Sequence, residues 1–162
     1  MTNKPGLKAV MFGLILGIPL YAVHAQDAGD GIVDKPLATI QGETPGVHID
    51  ILSIKRSEGG MVTLRAAFVN ESGAPVKGSA FPGMDGSGWR VSLLDYQAKK
   101  KYGVVMFDDG SCLCTTNLIY NRDFEPGRKI LWAKFRAPPE SVAKVTVLGS
   151  NGEPVEGIPI TR

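Results

Sequence analysis

From Val47 to the C-terminus, apolar and polar residues alternate in short runs separated by turn residues. Val47, Ile49 and Ile51 alternate with His48 and Asp50, the period of two expected of a strand with one buried face. The apolar phase then slips to Leu52 and Ile54, which predicts a bulge or a change of sheet. Val62, Leu64, Ala66 and Phe68 alternate with Thr63, Arg65 and Ala67 in a second strand. Trp89, Val91 and Leu93 mark another, and Tyr102 to Phe107 follows a hairpin turn at Gln97 to Lys100. Between Ile130 and Arg136, Leu131, Ala133 and Phe135 share one face, and Ile130, Trp132 and Lys134 share the other. Val145 and Val147 belong to a further strand, and Val155 to Ile160 to a last one, where Pro159 predicts an edge position.

The punctuation fits this reading. Ser57-Glu58-Gly59-Gly60, Asn70 to Gly73, Asp109-Gly110, Glu125-Pro126-Gly127 and Ser150-Asn151-Gly152 carry turn chemistry. The Gly/Pro/Ser-rich stretch from Ala74 to Gly88 predicts a long surface connection with a short edge strand at Val76. Cys112 to Tyr120 reads equally as loop or strand. No stretch after residue 25 holds helical periodicity over three turns. About seven strands in ~115 residues predict an all-β domain, an immunoglobulin-like antiparallel β-sandwich over 47–162. A small closed barrel is the rival architecture.

The first 25 residues follow another pattern. Lys4 and Lys8 precede an apolar run from Ala9 to Val23, and Val23-His24-Ala25 forms a small-residue exit. This is the order of a cleavable signal peptide. The run is about 15 residues, short of the ~20 that a helix needs to span a bilayer. The expectation is cleavage before Gln26, no transmembrane anchor afterwards, and a periplasmic or secreted protein. Residues 26–46 are polar and glycine-rich at first and interrupted by Pro36 and Pro45, which predicts a flexible N-terminal tail.

Charge narrows the partners. Both leader charges are lysines, so the formal net charge of +2 belongs to the precursor and the remaining chain sums to zero. With no basic stripe along the sequence, the expectation is no nucleic-acid partner. Lys99-Lys100-Lys101 is the one basic run and reads as a solvated hairpin end.

Only two cysteines are present, Cys112 and Cys114, so a core rather than a network of bridges must hold the domain. The pair has three readings. A disulfide would need a turn or bulge, because residues two apart in an extended strand sit near the ~6.8 Å limit for bridging. Two thiolates could hold a soft metal such as copper(I), helped by Met84, Met106 or His48. The pair could also cycle between dithiol and disulfide. Asp108 and Asp109 beside it read as turn residues. His48 is the one histidine outside the leader, on the polar side of its strand. Any nucleophile paired with an imidazole would depend on it. No serine lies in a nucleophile elbow.

Cys112-Leu113-Cys114-Thr115, Pro126-Gly127, Leu131-Trp132-Ala133-Lys134-Phe135-Arg136-Ala137-Pro138-Pro139, Val145-Thr146-Val147 and Ile158-Pro159-Ile160 together resemble a known pattern. It is that of secreted bacterial domains with an immunoglobulin-like fold, a group similar to a secreted mycobacterial immunogenic antigen. The resemblance covers roughly residues 110 to 162, with weaker likeness back to Val47. It implies an exported β-sandwich and carries over no catalytic residue and no cofactor.

The function expected is therefore a non-enzymatic envelope module that binds an envelope protein or a small ligand. Contacts are expected from the loop containing Met84 and Asp85, from the segment Cys112 to Asn121, and from an outward Trp132 flanked by Ile130. Periplasmic copper binding or thiol redox chemistry at Cys112 and Cys114 is the alternative.

Overall fold

A computed structural model describes residues 35–85, 88–115, 122–149 and 154–162; the expected leader lies outside these. The described chain is all-β, and the strands form where the sequence alternates. They are β1 (Ala38–Gln41), β2 (Val47–Ser57), β3 (Met61–Asn70), β4 (Val76–Lys77), β5 (Met84–Asp85), β6 (Gly88–Trp89), β7 (Val91–Asp95), β8 (Lys100–Gly103), β9 (Asp123–Phe124), β10 (Gly127–Arg136), β11 (Lys144–Gly149) and β12 (Val155–Thr161). The large sheet runs β10-β3-β2-β12-β11-β7-β8, with β1 beside β2. It is mixed rather than purely antiparallel, because β12 runs parallel to β2. It curls into a half-barrel, and Val104, just past β8, bridges to Phe135 on β10.

The phase slip in β2 has a structural counterpart. Its pairing with β3 shifts register between Ile51 and Ser53. Before the shift, His48 to Ile51 pair with β1; beyond it, Ile54 and Lys55 pair with β12. The extra residue, Leu52, points to the outer side, where it joins Ala67 and Val69 in a small buried cluster. A bulge bends a strand and raises its twist, so one strand serves two edge partners in succession.

Three expectations need correction. The tail of residues 26–46 contains a strand: Ala38 and Ile40 alternate with Thr39 and Gln41, and Ile40 is buried in the core. Its return to β2 is tight. Gly42 N–H donates to Val47 carbonyl at 2.8 Å, and Gly46 has φ +78°, which non-glycine side chains seldom adopt. The connection Ala74 to Gly88 is not wholly superficial. Phe81 is buried and stacks on Phe68 with centroids 4.6 Å apart, while Phe124 meets Phe81 edge-on at 5.1 Å. Its short strand at Val76 does occur, paired with β9. Finally, β12 is interior, not an edge. Pro159 is tolerated because the parallel pairing with β2 starts one residue later, at Ile160.

The main core gathers Ile49, Ile51, Ile54, Leu64, Leu93, Leu131, Phe135 and Val147, all fully buried, from both halves of the curled sheet. Asn70 is the notable buried polar group. Its amide donates to Ala74 and Phe124 carbonyls at 2.8 and 2.9 Å, and its oxygen accepts from Ser72 N–H and hydroxyl at 3.0 and 2.6 Å. Arg56 donates to the carbonyls of Pro138, Pro139 and Val142, tying β2 to the connection before β11.

Candidate binding face

Strand β10 supplies the face. Leu131, Ala133 and Phe135 are buried, whereas Ile130 and Trp132 remain 42 % and 38 % exposed. The alternation read from the sequence therefore holds, and Trp132 points outward. Its cross-strand neighbour is Arg65 on β3, followed by Ser53 on β2. The next row holds Lys134, Thr63 and Lys55, and the one after it Arg136, Met61 and Ser57. On the other side of Trp132, Ile130 faces Ala67 and then Asp50.

Asp50 organises that far end. It accepts a hydrogen bond from Thr39 hydroxyl at 2.8 Å and lies 3.7 Å from both His48 Nε2 and an Arg128 guanidinium nitrogen. The hydroxyl in this group thus donates to the carboxylate rather than to the imidazole. A nucleophile–base–acid relay needs the imidazole in the middle, and here the carboxylate occupies that place.

Cys112 and Cys114 form a disulfide across a bend at Leu113, with Cα atoms 5.2 Å apart. The bend is the local departure from extended backbone that such a bridge requires. The segment around it lies along the free edge of β10. Lys134 N–H donates to Leu113 carbonyl, Val105 N–H to Lys134 carbonyl, and Thr115 N–H to Trp132 carbonyl, at 2.9, 2.9 and 2.8 Å. Asp109 behaves as the turn residue expected: Ser111 hydroxyl and N–H donate to it at 2.6 and 2.8 Å. Those two bonds, the hydroxyl's foremost, hold its carboxyl below the usual carboxylate range.

The other sequence candidates divide. Met84, which the sequence places in a contact loop, is instead only 3 % exposed, packed in the core opposite Trp89. Its thioether is apolar and the neighbouring ring of Phe81 draws this loop inward. Met106 stands directly opposite Cys112 and is exposed. The side chain of Asp85 and residues 116–121 of the second contact segment lie outside the described residues. Among the described residues no cluster of three His, Cys, Asp or Glu side chains could hold a metal ion. No helix among them is long and apolar enough to cross a membrane.

One feature of this face was not read from the sequence. The outward positions of β2, β3 and β10 carry Lys55, Arg65, Arg128, Lys134 and Arg136 against a single acid, Asp50. Arg128 is paired with Asp50, while Lys55, Arg65, Lys134 and Arg136 make no ion pair among the described residues. These cations are far apart in sequence, and only the register collects them. Superposing the polar phases of the predicted strands would have been the signal. Comparison with protein-family models, with curated proteins and with solved structures found no match to this chain.

Proposed function

We propose that the protein is a non-enzymatic, exported module of the cell envelope that binds its partner through the outer face of β10, β3 and β2. The observation that carries this reading is the outward pair Ile130 and Trp132, large apolar side chains left in water beside a core that takes every second residue of the same strand. Exposed aromatic and aliphatic groups together on one rigid sheet are a common mark of a contact site. We read the fold as immunoglobulin-like, in line with the secreted bacterial domains that the sequence resembles. The strand order supports this: β2-β3-β10 and β12-β11-β7 correspond to the A-B-E and G-F-C halves of such domains. A photo-activated cross-linker placed at Ile130 in living cells tests the site. A discrete adduct, to protein or to lipid, that Trp132→Ala removes is the expected result; no adduct of either kind, or one indifferent to that change, overturns it.

A second reading is favoured by one contact. Met106 lies opposite Cys112, so reduction of the disulfide by a thiol reductant, itself oxidised to its disulfide, would leave two thiols beside a thioether; on binding copper(I) the thiols would release their protons to the medium and complete a soft donor set. Titration of the reduced protein with copper(I) against a chelator checks it. Binding weakened by Met106→Leu supports this reading, and binding unaffected by Cys112→Ser dismisses it.

A further inference from the structure

We propose that the outer face of β10, β3 and β2 docks the protein onto an anionic phospholipid surface; this rests on reading that face as the contact site. Lys55, Arg65, Lys134 and Arg136 fall in three consecutive cross-strand rows that contain no acidic residue. Sheet spacings of ~4.8 Å between strands and ~6.8 Å between alternate residues place them in a patch of about 10 by 14 Å. Lys55 and Arg136 are exposed, Arg65 and Lys134 half-buried. The chain beyond the leader is neutral in sum, so gathering these four cations here leaves the remainder of it net acidic.

The composition of the patch selects the partner. Cations alone would suit any polyanion, but Trp132 sits in the first of these rows and Ile130 in the row before it. Indole rings favour the boundary between headgroups and acyl chains, with lysine and arginine stems lying along the same boundary and their charges on phosphates. A small anionic ligand would need a concave site. The open cleft of about 410 Å³ lined by Leu94, Tyr96, Val142, Lys144 and Glu156 shares no residue with this face. A partner strand cannot be added along β10 at Trp132 and Lys134, because Thr115, Leu113 and Val105 already hold those backbone groups. An outward face that is cationic and aromatic, with no concave pocket and no open strand edge at Trp132 and Lys134, therefore matches an anionic lipid surface better than a peptide.

Each lysine or arginine near such a surface contributes about a fivefold gain in partitioning, and the gain fades with salt. The test is flotation of the exported protein with phosphatidylcholine vesicles, with and without phosphatidylglycerol. Binding is expected only with phosphatidylglycerol, falling as salt rises from about 0.05 M to about 0.5 M, with a blue shift in tryptophan emission that Trp132→Phe abolishes. Lys55→Gln and Arg136→Gln, both at exposed positions, should each weaken partitioning about fivefold with an unchanged melting temperature. Equal binding to neutral vesicles, or full binding by the double charge variant, overturns the proposal. So does capture by soluble heparin through these residues without binding to vesicles; that outcome rejects lipid yet keeps the face as a contact site. The cross-linking experiment at Ile130 reports on the site independently.

Discussion

The backbone N–H of Lys134 donates to the carbonyl of Leu113, the residue between the two cysteines, at 2.9 Å. The cystine bend thus occupies hydrogen-bonding groups on the edge of the strand that carries the exposed Trp132. Unpaired strand edges invite association with other chains, and here a loop pinned by a covalent bridge covers one.

Removing the bridge with Cys112→Ser and Cys114→Ser should cost only ~1.5 kcal/mol, because so short a ring restricts the unfolded chain little. The larger effect should be local. Hydrogen exchange at Lys134 and Leu113 amides should quicken relative to the β3 strand, whose ladders lie on both sides of it. Equal acceleration throughout the sheet would mean that the bridge supports the whole fold.

Asn70 should be among the most sensitive polar positions. Its side chain makes four hydrogen bonds in a nearly water-free corner joining β3, the Ser72 turn and β9. Asn70→Ala removes them and leaves the Phe124 carbonyl without that donor, so a loss of about 2–3 kcal/mol is expected by denaturant titration. Asn70→Asp retains the acceptor and loses the donor, and should also destabilise.

Two aromatics three residues apart on β10 should behave oppositely. Phe135 is fully buried, so Phe135→Ala should cost about 3–5 kcal/mol. Trp132 is 38 % exposed, and Trp132→Ala should cost under about 1.5 kcal/mol, with any larger loss appearing in binding. Comparable melting temperatures for the two variants would contradict the outward placement.

The hydroxyl of Tyr102 is buried without a hydrogen-bond partner among the described residues. Burial foremost, and the carboxylate of Asp95 second, raise its pKa above the ordinary value of 10.0. The folded state then keeps a proton that the unfolded chain releases. The contribution to stability is complete below pH ~10 and is lost as pH rises through the folded value. Absorbance titration should show a late-ionising tyrosine that Tyr102→Phe removes. That variant should also melt no lower than the parent at neutral pH, since no hydrogen bond is lost.

Several features were legible in the chain because they are local. Alternation along β3 and β10 assigns each side chain to a face by counting in twos. The slip after Ile51 marks the bulge at Leu52 for the same reason. A bend between Cys112 and Cys114 was legible only as a condition of the disulfide reading, one of three for that pair, and the structure supplies the bridge. The strand Ala38–Gln41 is too short to stand out between two prolines, and it is stable only because β2 offers a partner. Phe81 and Met84 read as loop residues because their neighbours are Gly, Pro and Ser. They are buried because Phe68 and Trp89 arrive from elsewhere in the chain.

By itself, then, the order of residues determined that extended strands form, which of their faces is apolar, where the apolar phase of one of them slips, and that Ile130 and Trp132 point away from the core. Only the tertiary structure decided which strands become neighbours: the parallel seating of β12 on β2, Met106 opposite Cys112, and four cations from three strands on one patch. The reason is physical. A side chain's face is set by its own backbone dihedrals, whereas its neighbours are set by the pairing register, which depends on groups tens of residues away.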